Sequence, residues 1–216
     1  MEQIPVLIAG GGPVGMTLAL NLARYGIRSM LVERNPATTR HPKMDLTNGR
    51  SMELFHRLGI DEQLRAAGVP RENAFDILWV TNMAGHDLHR FHYPSATEKT
   101  RIIREENDGS HGAQAPLRVS QVEIEPVLKR AIDENPLVDV RFNHRFDEFI
   151  SNGPDGVVAR IVHSETGVAS EVACRFLAGC DGGGSRGIVQ RGCRHDCRAI
   201  LTTLQHRDCQ YGFERW

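Results

Sequence analysis

The chain has 216 residues, 40% of them hydrophobic and 25% charged, with a formal net charge of −1. That is ordinary globular composition with length enough for a substantial core, and it excludes a basic field that would gather nucleic acid or anionic lipid. No stretch approaches the run of roughly 18 apolar residues that a membrane helix needs.

The N-terminus opens on Glu2 without a cationic segment, which reads against a secretory leader. "IPVLIAG" (4–10) is a short apolar run closed by glycine and predicts a buried strand. "MTLALNLARYG" (16–26) predicts a helix with Leu18, Leu22 and Tyr25 on one face, stopped by Gly26. "SMLVER" (29–34) predicts a second strand, so the order is βαβ, the crossover that parallel strands require. "GRSMELFHRLGI" (49–60) predicts a helix lined by Met52, Phe55 and Leu58 with Gly59 as its cap, and "DEQLRAAG" (61–68) a shorter one. "FDILWV" (75–80) and "DLHRFHY" (87–93) predict a hairpin around "NMAG", and the polar residues 94–116 read as loop. His86, His89 and His92 recur every third residue, a spacing that alternates faces on strands and reads as a solvated hairpin, with no metal site.

"SQVEIEPVLKRAIDE" (120–134) has the capping-box spacing at Ser120 and Glu123, and Pro126 places the start of regular helix near itself. "VDVRFN" (138–143), "RFDEFIS" (145–151), "GVVARIVHS" (156–164) and "VACRFLAGC" (172–180) predict strands. Turns at "NGPDG" and "SETG" make the last three an antiparallel meander that returns to a buried strand. The five cysteines, odd in number and unevenly placed, read as a reducing, cytoplasmic setting without a disulfide framework.

Gly10, Gly12 and Gly15 form G-x-G-x-x-G between a strand and a helix. Gly10 allows the tight turn, Gly12 lets backbone approach a pyrophosphate, and Gly15 lets the helix pack on the strand. The helix start offers unpaired N–H groups and partial positive charge to phosphates. Glu33 ends the next strand, near the spacing of an acid that grips a ribose hydroxyl, and its charge repels a 2′-phosphate. The pattern suits the adenosine of NAD or FAD and does not choose between them.

Four stretches together carry a resemblance: "VLIAGGGPVGMTLALNLARYGI" (6–27), "NGRSMELFHRLGI" (48–60), "PLRVSQVEIEPVL" (116–128) and "FLAGCDGGGSR" (176–186). In this order they resemble the FAD-dependent aromatic hydroxylases, single-component flavoprotein monooxygenases related to p-hydroxybenzoate hydroxylase. The resemblance implies an α/β fold: a Rossmann-like FAD-binding domain with an antiparallel β-meander over residues 1–187, incomplete relative to the family. Within it, 75–100 would form a hairpin on the substrate side.

It further implies that Gly10, Gly12, Pro13, Val14 and Gly15 hold the ADP half of FAD, that Glu33 takes the adenosine ribose, and that Arg34 flanks the adenine. Arg50 lies in a segment that runs near the cofactor, and Arg118 and Gln121 match cofactor-contacting positions. Asp181 and Gly182 open the Asp-Gly motif that approaches the pyrophosphate, with Gly183 and Gly184 leaving room beside it. The implied reaction reduces FAD with NADH or NADPH and transfers one oxygen atom of O₂ to a small aromatic, usually phenolic, ring. The chemistry would reside in the cofactor, so no catalytic side chain is assigned. His41 and Lys43 of "RHPKM" read as exposed loop cations.

Residues 188–216 change character, with three of the five cysteines and five arginines. No second flavin motif follows. In an arginine-rich, lysine-poor chain this reads as a frameshift or truncation near residue 187. Two rivals are a helix through Val189, Cys193, Cys197, Ile200, Leu201 and Leu204, and a zinc site from Cys193, His195, Cys197, His206 and Cys209. The function expected is therefore an FAD-dependent aromatic monooxygenase, truncated. An inactive FAD-binding remnant is the alternative and an NAD-binding Rossmann module the third choice. Oligomeric state is not legible.

Overall fold

The computed structural model describes residues 1–41, 43–154 and 156–182, together with the backbone of Ala199–Leu201. The chain divides into two compact units, one of Met1–Thr39 and the residues from Leu128 onward, the other of Arg40–Val127. The first unit opens with β1 (Glu2–Ala9), α1 (Pro13–Arg24) and β2 (Ser29–Val32). The second carries β3 (Leu46–Thr47), α2 (Gly49–Arg57), α3 (Asp61–Ala67), β4 (Ile77–Val80), β5 (Asp87–Phe91), α4 (Ala96–Glu106), β6 (Leu117–Arg118) and the start of α5 (Gln121–Asp133). The chain returns to the first unit through β7 (Val138–Arg141), β8 (His144–Gly153), β9 (Gly156–His163), β10 (Ala169–Gly179) and β11 (Ala199–Leu201).

One mixed sheet organises the first unit, in the order β7-β2-β1-β10-β9-β8. The pairs β7–β2, β2–β1 and β1–β10 are parallel, while β10–β9 and β9–β8 form the expected antiparallel meander. β10 serves both halves. One edge pairs with β1 from Val172 to Gly179; the other pairs with β9 from Ala169 to Cys174 and with β11 from Leu177 to Gly179. A parallel strand is covered on both faces, which is why "VLIA" is apolar without alternation: Leu7 and Ile8 are fully buried. Leu7, Met30, Val32, Phe146, Ile161 and Leu177 belong to one core cluster.

The buried side of α1 differs from the expected one. Met16, Ala19, Leu20 and Ala23 are buried, Leu18 and Leu22 are half-buried, and Tyr25 is exposed. Small residues at Gly15, Ala19 and Ala23 let the helix axis lie close to the sheet, which pushes the bulkier leucines to the margin of the contact. Gly26 ends the helix in the left-handed region at φ 73°.

In the second unit α2 starts on Asn48, whose side chain accepts from the Ser51 N–H at 2.8 Å; it buries Met52 and Phe55. Leu58, expected on that face, stands half-buried at the C-cap. β4 and β5 pair as the predicted hairpin, Ile77 opposite Phe91 and Trp79 opposite His89.

Residues 94–116 are not all loop. Ser95 and Glu98 form a reciprocal capping box at 3.1 Å in each direction, α4 follows, and Asn107 stops it at φ 38°. Only Ala96 of this helix is buried. An apolar periodicity is therefore missing, and the cap chemistry that satisfies free amides is the signal that marks it. α5 also departs from expectation: it begins at Gln121, and Pro126 lies exposed inside it. The hydrogen bond that proline cannot donate is thus lost on an outward-facing turn. The Ser120 hydroxyl accepts from the Val122 N–H at 3.3 Å, while the Glu123 N–H bonds the Ser120 carbonyl, so the reciprocal box does not form there.

The helical reading of the tail is corrected at Ala199–Leu201, which form a strand parallel to β10. The remainder of that reading, the zinc reading and Gly183–Gly184 lie outside the described residues.

Ser95→Ala removes one half of the α4 box and exposes the Glu98 amide. The full chain should lose about 1 kcal/mol of unfolding free energy in urea titration.

Candidate functional site

Sheet pairing brings the two glycine motifs of the first unit together. The Gly10 N–H bonds the Val32 carbonyl at 2.8 Å, and the Cys180 N–H bonds the Ala9 carbonyl at 2.6 Å. Both loops therefore leave the ends of adjacent parallel strands. Gly10 sits at φ 115°, and a Cβ there would lie 2.3 Å from the Cys180 carbonyl oxygen and 2.6 Å from the Asp181 nitrogen. A Cβ on Gly15 would lie 1.9 Å from the Gly10 carbonyl oxygen. Neither position has room for a side chain, so helix start, first loop and Asp181 loop are held at backbone contact.

Gly12 is different. It is the N-cap of α1, has ordinary φ of −76°, and donates no side-chain cap. A Cβ there would meet nothing within 4 Å among the described residues. Pro13 occupies the first helical position, and the N–H groups of Val14 and Gly15 have no intrahelical partner because they belong to the first turn. The loop thus keeps open space in front of free donors at the positive end of a helix, a cradle for an anion.

Glu33 turns into this loop. One carboxylate oxygen accepts from the Gly11 N–H at 2.8 Å; the other accepts from the Asn35 N–H at 2.9 Å and its side-chain amide at 2.6 Å. Gly11 has to be glycine, since a Cβ would come within 2.7 Å of the Glu33 Cβ. Sequence reasoning omitted Gly11 and Asn35; the run of three glycines and an amide two residues after the acid were the available signals. Arg34 is exposed, with its carbonyl held by the Ser164 hydroxyl at 2.9 Å. Asp181 is half-buried, and Gly182 follows at φ 78°. Gly10, Gly12, Pro13, Val14, Gly15, Glu33, Asp181 and Gly182 therefore belong to one locality. A diphosphate fits the glycine cradle, and a ribose with a free 2′-hydroxyl fits the one lone pair left on the Glu33 Oε2.

The other three predicted residues lie in the second unit. Arg50 is exposed and bonds Glu53 at 2.5 Å. That bond and the Ala113 N–H at 2.7 Å hold the Glu53 carboxyl below its usual range. Arg118 lies with its guanidinium carbon 5.6 Å from the centre of the Phe75 ring and donates to the Phe75 carbonyl at 3.4 Å. Its Nε is buried with no hydrogen-bond partner among the described residues, as is the Nε of Arg145. Gln121 is buried; its amide donates to Glu125 at 2.6 Å and its N–H to the Met44 carbonyl at 3.0 Å.

The chain matches the family described as "FAD binding domain" over residues 3–201. It is 45% identical to the FAD-dependent monooxygenase apdD of Emericella nidulans over 82% of this chain and 28% of that protein. It is 35% identical to aklavinone 12-hydroxylase DnrF of Streptomyces peucetius, over 83% of this chain and 36% of that one. Among solved structures, the flavin-dependent monooxygenase PieE in complex with FAD and substrate superposes with a TM-score of 0.76 and 32% identity, over 87% of this chain and 32% of that chain. The chain spans about a third of the length of these relatives.

The glycines separate fold from binding. Gly15→Ala forces backbone apart and should destabilise the chain by roughly 2 kcal/mol or more, as overpacking does. Gly12→Ala has space and ordinary φ, so it should lose only the N-cap preference of glycine over alanine, less than Gly15→Ala loses in the same urea titration.

Proposed function

The chain belongs to the FAD binding domain family of FAD-dependent monooxygenases, and on that premise we propose that it binds FAD at the glycine cradle and serves the hydroxylation of a phenolic ring with NAD(P)H and O₂. The observation that carries this reading is the open Gly12 position, with free α1 amides behind it and the Glu33 carboxylate beside it. When bound, FAD supplies the electron transfer and oxygen activation that no side chain provides.

The protein's part is to bind and orient. The Val14 and Gly15 N–H groups donate to the diphosphate, and Pro13 presets the helix start that aims them. Glu33 accepts from the adenosine ribose, already oriented by Gly11 and Asn35. Arg34 would flank the adenine, and Asp181 and Gly182, at the neighbouring strand end, would approach the pyrophosphate. For Arg50, Arg118 and Gln121 of the second unit, a role toward the cofactor rests on the family resemblance alone. The family resemblance assigns the β4–β5 hairpin to the substrate side. Aromatic substrates follow from the relatives, among them a phenol 2-monooxygenase of Pseudomonas 29% identical over 85% of this chain.

The purified full chain should carry a flavin visible spectrum or acquire one on adding FAD. A chain that stays colourless and leaves FAD fluorescence unchanged would sink the proposal. Gly12→Ala should weaken FAD about tenfold by crowding the phosphate approach, while the chain stays folded by circular dichroism. NADH or NADPH oxidation accelerated by phenols is the expected sign of turnover. Retained flavin without such acceleration would support the binding-only alternative.

A further inference from the structure

The segment Glu33–Asn35, just past the end of β2, is fixed at every residue. The Glu33 N–H donates to the Arg141 carbonyl at 2.9 Å, and the His144 N–H donates to the Glu33 carbonyl at 2.8 Å. The Ser164 hydroxyl donates to the Arg34 carbonyl at 2.9 Å, and the Asn143 N–H donates to the Asn35 carbonyl at 3.1 Å. Asn143 makes that bond from the left-handed region at φ 58°, a conformation that asparagine tolerates better than most residues. Pro36 follows Asn35 and keeps its backbone out of the helical region. The loop that carries the acid is thus clamped to the turns on either side of β8 and β9, and the acid itself has little freedom to shift.

The side chain is fixed as well, and unevenly. An ionised carboxylate offers about four lone pairs. On Oε1 of Glu33 both are taken, by the Asn35 N–H at 2.9 Å and by the Asn35 side-chain amide at 2.6 Å. On Oε2 one is taken, by the Gly11 N–H at 2.8 Å. A carboxylate on a free stem can offer both oxygens to a pair of neighbouring hydroxyls. Here Oε1 is closed, and turning it outward would break three hydrogen bonds to an ionised acceptor, the stronger kind. Two of the three donors are backbone and persist whatever the side chains are. The Asn35 amide is the exception, so it decides whether Oε1 is closed or open.

We propose that Asn35 is a positioning residue that makes Glu33 a reader of one ribose hydroxyl. With Oε1 closed, the carboxylate accepts a single hydroxyl on Oε2 and leaves the neighbouring hydroxyl unread. The inference rests on the FAD reading above and sharpens what that site recognises: an adenosine ribose with one hydroxyl that must be present and free, and a second that can be removed without loss at this carboxylate. All the residues concerned lie in the first unit.

Calorimetric titration of the full chain with ADP, 2′-deoxy-ADP and 3′-deoxy-ADP tests it. In the parent, one deoxy compound should bind about tenfold more weakly than ADP, the loss expected for one hydrogen bond to a charged group, and the other should match ADP. Asn35→Ala reopens Oε1, so the two deoxy compounds should then bind within about threefold of each other, each more weakly than ADP. Asn35→Gln, which keeps an amide donor on a longer stem, should restore part of the parent's preference. A merely structural role for Asn35 would lower the urea midpoint and weaken all three ligands alike. Equal loss for both deoxy compounds in the parent, loss for neither, or a preference unchanged in Asn35→Ala overturns the proposal while ADP binding itself leaves the cradle standing. A parent that binds neither ADP nor FAD overturns the cradle reading and this inference with it.

Discussion

Backbone contact between Gly10 and the Cys180–Asp181 peptide is the constraint on which the first unit turns. Parallel pairing of β1 and β10 delivers both loops to the same end of the sheet, and the absence of any Cβ lets them touch. Gly15 repeats the device one helical turn later, so α1 is seated against the Gly10 carbonyl instead of against a side chain. The result is a rigid frame around one position, Gly12, that is left open. Glycines here have opposite duties: three of them permit contact within the protein, and one preserves space for something else.

That frame was partly legible from residues alone. Strand, glycines, helix and second strand follow from apolar runs and spacing, and the hairpin and meander from alternation and turns. What escaped was long-range or weakly patterned. The bond from Gly11 to Glu33 joins residues that the crossover brings together, and local pattern does not encode it. The place of β10 between β1 and β9 is likewise a property of the sheet. α4 escaped because it buries only Ala96, so its apolar rhythm is too faint to distinguish from a polar loop; its capping box was the readable mark. On α1 the larger leucines suggested a buried face, yet the small residues define it, because close approach to the sheet is won by side chains that occupy little volume.

The candidate residues in the second unit are less uniform than the fingerprint. Gln121 spends its amide on Glu125, and Arg50 spends a donor on Glu53, whereas Arg118 keeps a buried Nε without a partner.

The divided pairing of β10 has a consequence for how the fold tolerates change. From Val172 onward the strand is gripped by β1, whereas Ala169–Glu171 are held only by β9. Length variation in the turn around Glu165–Gly167, or slippage at the bulges between β8 and β9, can be absorbed in the outer meander before it reaches Gly179. The outer sheet can therefore diverge between relatives while the strand end that presents Cys180 and Asp181 stays in place.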